Sequence, residues 1–347
     1  MMKTLSRGAL GLVSLSVLSC SAVHEPSAPA TTAQESKRDP WFIPTAAKVT
    51  SYMPRVIIRN IREDRAGNIW FATFGGPIRY DGKDFTNFAD EVGLANTRVF
   101  SLMEDRSGAL WFGSVTGGAS RWDGKGFTKF TASDGLGNDD VLWLFEDRDA
   151  HIWFATGGGA SRWDGKAMTN FTTKDGLLDD SVYSIAQDAS GRIWFGTQGG
   201  ICSYDGTSFT NLADQVGRTF VNIRAIVVDH AGNVWFGGEE GSYRYDGKTL
   251  TEFDATNGLL ADFVGSMIVD HTGNVWFGHP VPDQGASRYD GTTFSHVTRA
   301  DGLTSTNVYA MLEDSAGRMW FGSVNAGACR YDGKTFTDFS AAAPSRK

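Results

Sequence analysis

Apolar residues run through this chain in bursts of four or five, interrupted at regular intervals by polar turns that contain glycine. One stretch shows the unit. Val182 to Ile185 predicts a strand, and Asp188 to Gly191 predicts its turn, the carboxylate capping backbone N–H groups while the glycine takes positive φ. Ile193 to Thr197 predicts a second strand. Gly199 to Tyr204 predicts a third, running into Asp205 and Gly206, which read as a two-residue type I′ hairpin. Phe209 to Leu212 predicts the fourth.

The unit recurs seven times. Trp70, Trp111, Trp153, Trp194, Trp235, Trp276 and Trp320 are spaced 41, 42, 41, 41, 41 and 44 residues apart, each six residues after a turn aspartate. A Tyr-Asp-Gly or Trp-Asp-Gly phrase follows each, at Tyr80, Trp122, Trp163, Tyr204, Tyr245, Tyr289 and Tyr331. Four residues beyond each of those aspartates stands an apolar residue, Phe85, Phe127, Met168, Phe209, Leu250, Phe294 or Phe336. A fixed period of this length made of short strands and turns predicts an all-β fold, a seven-bladed β-propeller with four antiparallel strands per blade. One blade cannot bury both its faces alone, so the repeated tryptophans and other aromatics are expected to pack between neighbours. The turns offer one carboxylate each, too few for a calcium loop, so no metal is expected.

The phrase Asp-x-x-Gly-x-Ile-Trp-Phe-Gly-Thr resembles the two-component regulator propeller repeat, over about residues 55 to 340. That resemblance implies the periplasmic sensor part of bacterial hybrid histidine kinases. With no kinase in the 347 residues, a signalling role implies a separate sensor kinase. The repeat is also similar to that of streptogramin lyase, a seven-bladed enzyme. It differs from WD40 repeats, because no Gly-His and Trp-Asp pair brackets the blades.

Composition changes the picture little. A net charge of −8 leaves no electrostatic footprint for nucleic acid or an anionic membrane surface. The N-terminus changes it more. Lys3 and Arg7 precede an apolar stretch from Ala9 to Leu18, the pattern of a secretory signal. Val17, Leu18, Ser19 and Cys20 resemble the bacterial lipobox, with Leu18 where a smaller or β-branched residue is commoner. Residues 1–19 are therefore expected to be a signal peptide and 20–40 a lipidated Cys20 with a flexible Ser/Ala/Pro/Thr-rich tether. The propeller then takes 41–340 and a tail 341–347. The expected product is exported and anchored by its lipid, facing the periplasm or cell surface.

Comparison of the seven copies localises candidate chemistry. From the Tyr-Asp-Gly aspartate to the next turn aspartate is always 24 residues, whereas from turn aspartate to the following Tyr-Asp-Gly aspartate the distance ranges from 17 to 20. Length variation thus falls between the second and third strands, B and C. Those loops share the top face with the links from strand D to the next strand A, and function is expected there. The longest such loop runs from His279 to Gln284 and includes Asp283. In strand A one position changes character from blade to blade: Arg59, Phe100, Leu142, Tyr183, Arg224, Gly265 and Tyr309. These are expected near the mouth of the central channel, where Arg59, Tyr183, Arg224 and Tyr309 suit an anionic or sugar-like ligand through forked hydrogen bonds and ring stacking. The ligand-binding candidates are therefore Arg59, Arg98, Tyr183, Arg224, Tyr309, His279, Asp283 and Gln284. No Gly-x-Ser-x-Gly and no metal-spaced histidine pair is present, and no cofactor is expected.

Three functions remain: a non-catalytic ligand-binding or sensory propeller for a small polar ligand or glycan fragment, a protein-interaction scaffold that binds an envelope protein, and a lyase resembling streptogramin lyase. Cys202 and Cys329 occupy the same strand-C position in blades four and seven, too far apart for a disulfide, and are expected to be reduced space-fillers. The anchor has a direct test. Cys20→Ser is expected to move the protein from the membrane to the soluble fraction, and unchanged fractionation rules the lipid anchor out.

Overall fold

The computed structural model describes residues 48–304, 306–324 and 327–340. Cys20 and the expected signal, tether and tail lie outside them. The described residues form seven antiparallel sheets, six of four strands and one of five, each running A-B-C-D in chain order. This is the seven-bladed β-propeller. In blade four the strands are Val182–Gln187, Ile193–Thr197, Gly200–Tyr204 and Phe209–Asn211. One short helix, Leu212–Val216, sits in the link from blade four to blade five.

The turn aspartate does more than cap its turn. In blade four Asp188 Oδ1 accepts the Ser190 and Arg192 N–H groups, while Oδ2 accepts the indole Nε1–H of Trp194 at 2.8 Å. The indole bond recurs in every blade, from 2.7 Å at Asp64–Trp70 to 2.9 Å at Asp270–Trp276. One carboxylate thus ties the A–B turn to the largest side chain of the core. Burial alone would raise the Asp188 pKa, but the hydrogen bonds from Ser190, Trp194 and Arg192 outweigh it and hold the group below the ordinary carboxylate range.

The held tryptophan then packs on the next blade. Trp70 meets Phe112 at 5.7 Å, Trp111 meets Phe154 at 5.8 Å, and Trp153 meets Phe195 at 5.6 Å between ring centroids. Trp320 of the last blade meets Phe71 of the first edge-on at 5.9 Å, so the same contact closes the ring. A second seam follows the bottom face, where the residue before a turn aspartate accepts an N–H from the preceding blade. Glu104 takes that of Arg65 (2.7 Å), Glu146 that of Arg106 (3.0 Å), Gln187 that of Arg148 (2.9 Å), Glu313 that of His271 (2.7 Å) and Glu63 that of Ser315 (2.6 Å). In blades five and six Val228 and Val269 hold this position and offer no acceptor.

All four strands of blade one are consecutive in sequence, so no strand is swapped. Val49–Thr50 adds a fifth strand outside Phe85–Asn87, and Met53 N–H donates to the Phe339 carbonyl at 2.7 Å. The segment ahead of blade one therefore works as a clasp between first and last blades.

The C–D hairpin differs from the expectation. Tyr204 pairs with Phe209, leaving four residues in the loop, and of Asp205 and Gly206 only Gly206 has positive φ. A type I′ turn needs positive φ at both central residues. Here Asp205 Oδ1 accepts the Thr207 and Ser208 N–H groups instead, an Asx-type closure seen in all seven hairpins. Cys202 and Cys329 are buried thiols, and burial pushes the Cys202 thiol up to about 12.

Removing the clamp tests this account. Asp188→Ala leaves the Trp194 indole N–H buried without an acceptor and is expected to cost about 2–4 kcal/mol, measured by urea unfolding. Asp205→Ala, at an exposed hairpin, is expected to cost clearly less. Equal losses would show that the indole bond is not the stabilising element.

Candidate functional site

The inner strands surround a cavity of about 1030 Å³. All seven variable strand-A residues line it: Arg59, Phe100, Leu142, Tyr183, Arg224, Gly265 and Tyr309. The reason lies in the ladder. In blades one, two, three, four and seven the A–B register slips at this residue, which is left unpaired and turned inward. Blade six has no side chain here because Pro280 occupies the space. A Cβ on Gly265 would lie 2.6 Å from its ring.

At the mouth, guanidinium groups alternate with rings. Arg59 lies between Phe100 (5.0 Å) and Tyr309 (4.8 Å). Arg98 faces Phe74 at 5.0 Å and Phe100 at 5.7 Å. Across the channel Arg224 stacks on Tyr183 at 3.9 Å and reaches Glu239 at 3.3 Å. Burial lowers the Arg59 pKa to about 10, Tyr309 opposes that shift, and the neighbouring cations Arg224 and Arg98 add to it. Three like charges therefore share one mouth, with Arg59 in contact with ring faces and no carboxylate among the described residues. Stacking occupies the two faces of a guanidinium and leaves its in-plane N–H groups to donate. The arrangement attracts an oxyanion and offers it aromatic surface.

The long blade-six loop is placed otherwise. His279 closes strand B of that blade (Val275–His279) and is fully buried. Its Nδ1 lies 3.0 Å from the Phe263 carbonyl and its Nε2 2.9 Å from Ser287 Oγ. Both ring nitrogens are engaged by the protein, so His279 braces the loop from inside. Burial lowers its pKa to about 4. Asp283 is exposed, in the left-handed region at φ 63°, and pairs with Arg299 at 2.9 Å. Gln284 is half-buried and donates its N–H to the Val281 carbonyl. The strand-entry acids have structural partners too, since Asp139, Asp180 and Asp262 each cap an N–H seven residues upstream at 2.7–2.8 Å. Among the described residues, one group of His, Cys, Asp and Glu converges closely enough to hold a metal: Asp147, Asp149 and His151 in an A–B turn. There His151 lies 3.1 Å from Asp147 Oδ2, and in the equivalent turns Asn68, Asn233 and Asn274 bond the same oxygen.

The family described as Two component regulator propeller matches residues 52–75, 93–116, 176–199 and 302–325, the A–B hairpins of blades one, two, four and seven. These are two component regulator propeller repeats. No curated protein sequence matches the chain. Among solved structures, it is similar to the extracellular domain of the putative hybrid two component system BT3049 from B. thetaiotaomicron, with a TM-score of 0.69 and 23% identity, covering 82% of this chain and 41% of that one. The extracellular domain of BT4673 from the same organism gives 0.65 and 20%, over 83% and 39%. A catalytically inactive virginiamycin B lyase from Staphylococcus aureus, with quinupristin, gives 0.56 and 14%, over 70% and 84%. At these identities the likeness is one of fold, and the chain spans about two fifths of the length of the two B. thetaiotaomicron domains.

In this propeller a buried neutral histidine couples blade six to pH. The folded pKa of His279 lies below its unfolded value, so the unfolded chain binds the extra proton between about 6.5 and about 4 and stability falls as pH drops through that window. His296, lowered mainly by burial, adds in the same direction. Stability is expected to fall by on the order of 3 kcal/mol across the window, read from urea unfolding at stepped pH. His279→Gln is expected to flatten most of that slope. The turn aspartate Asp270 acts in a separate, more acid range, where hydrogen bonds from Asn274, Trp276 and Thr272 outweigh its burial and lower it to about 2.

Proposed function

We propose that this chain is a non-catalytic sensory propeller of the cell envelope, which takes a small anionic ligand or glycan fragment at the top mouth of its channel. The observation that carries the reading is the alternation of Arg59, Arg98 and Arg224 with Phe74, Phe100, Tyr183 and Tyr309. A cluster of cations at the top of the inner strands, Arg59 and Arg224 at the position that escapes the repeat and Arg98 beside Phe100, costs repulsion and desolvation, which a bound oxyanion relieves. Rings beside it suit the flat faces of a sugar or aryl group. Export is supported by the signal-like N-terminus, and by the extracellular origin stated for the two B. thetaiotaomicron domains. Their hybrid two component systems support a sensor kinase as the partner that reads the bound state. Asp283 and Gln284 stand on the longest of the B–C loops, where they suit contact with that partner.

The test is a melting-temperature screen of the full chain against acidic and neutral oligosaccharides and small oxyanions. A ligand of the mouth is expected to raise the melting temperature by a few degrees at a hundredfold excess over its Kd. Arg59→Gln and Arg224→Gln are each expected to weaken it at least tenfold, and added salt to weaken it further. A screen with no stabilising member, or variants that bind as the wild type does, overturns the reading.

A further inference from the structure

Below the mouth the channel changes character. Two residues before each turn aspartate the inner strands carry Met103, Phe145, Ala186, Val227, Ile268 and Leu312 in blades two to seven. Blade one carries Arg62. It is the sole charged residue of that layer and breaks a rule that six other copies keep. Its guanidinium lies over the Trp143 ring at 5.8 Å, and among the described residues its one hydrogen bond is a long 3.4 Å contact to the Ile61 carbonyl. No salt bridge to Arg62 occurs among the described residues. Burial holds its pKa below the ordinary arginine value. Arg62 is half-buried along the channel wall, and an apolar side chain would fill this place without the partial desolvation of a cation that has no counter-charge. Arg62 follows Arg59 by three residues on the same strand, about 10 Å further down the channel at the usual rise.

We propose that the channel binds an aromatic carboxylate inserted acid-first, its carboxylate on Arg62 and its rings against Trp143, Phe145, Val227 and Ile268. This rests on the reading of the channel as a ligand site and narrows the ligand to an amphipathic anion. The basic mouth draws the acid in, the apolar wall takes the hydrocarbon, and the low dielectric of the interior strengthens the final ion pair. A glycan held only at the mouth would use neither the apolar layer nor Arg62. Trp143 contributes twice, since its face holds the guanidinium in place and its edge borders the space for the ligand's ring.

The experiment is calorimetric titration of the full chain with biphenyl-4-carboxylate and with its neutral carboxamide, beside the oligosaccharides and oxyanions of the mouth screen. The acid is expected to bind at least tenfold more tightly than the amide, with a negative heat-capacity change from the buried rings. Arg62→Met is expected to erase that preference while melting at or above the wild-type temperature, because it removes an uncompensated cation. Arg62→Gln provides the same comparison should the methionine variant fail to fold. Equal affinity for acid and amide, an acid preference that survives both variants, or a melting temperature that falls sharply in both overturns the proposal. Binding of mouth probes without binding of the biphenyl acid overturns it and leaves the broader reading standing. Binding of no probe of either kind overturns both.

Discussion

The structure depends on one hydrogen bond made seven times, from a tryptophan indole N–H to a turn aspartate six residues earlier. A buried indole needs an acceptor, and a tight turn needs its N–H groups capped. A single carboxylate with two oxygens satisfies both. Asp188 shows the division, with Oδ1 on the turn and Oδ2 on Trp194. The indole is thereby held at the angle at which its face and edge meet the next blade. Local turn chemistry and the interface between blades are thus set by the same atom pair. The ring closes by the same contact, Trp320 against Phe71, so no exchanged strand is needed.

Because the scaffold is assured from the turns and the blade interfaces, the inner rim is free to vary. The slip in register at the top of strand A releases one residue from the ladder in each of five blades and turns it into the channel. What stands there is decided by chemistry in the lumen rather than by packing between sheets. That freedom explains how Arg59, Tyr183 and Tyr309 can face Arg224 of blade five across a fold whose other positions are nearly interchangeable. The bottom rim shows the opposite. Its Glu and Gln residues bridge blades, and where Val228 and Val269 replace them the side chain offers no acceptor.

Charge inside the channel works against folding, and the proposed ligand site rests on that cost. Arg59 and Arg62 sit on one strand with rings as neighbours and without carboxylate partners, a state that folding alone would not select. His279, by contrast, is buried and neutral with both ring nitrogens engaged, so its burial serves the loop above it. The distinction between the buried His279 and the half-buried arginines rests on their hydrogen bonds and ion pairs.

How much was legible beforehand follows from the same physics. Seven copies at a nearly constant period dictated blade number, strand order and the equivalence of the tryptophans, because repeat spacing is a local property of the chain. Aligning the copies also singled out the strand-A position that lines the channel, since a site freed from the ladder is one where neighbours stay alike while it changes. The hairpin at Asp205 was misjudged because Asp-Gly is compatible with two closures, and the choice depends on where the aspartate side chain finds its N–H donors. His279 was placed on the surface by its loop, but that position is the last pair of a ladder and points inward. The indole bond was invisible in sequence as a contact, although the six-residue spacing that permits it was present in every copy. Arg62 stood in plain view as one charge among seven otherwise apolar positions, yet only the closed ring brings Trp143 across to it. Sequence determined which residues repeat. The ring alone decided which of the exceptions share a cavity, because residues in different blades become neighbours only when the first blade meets the last.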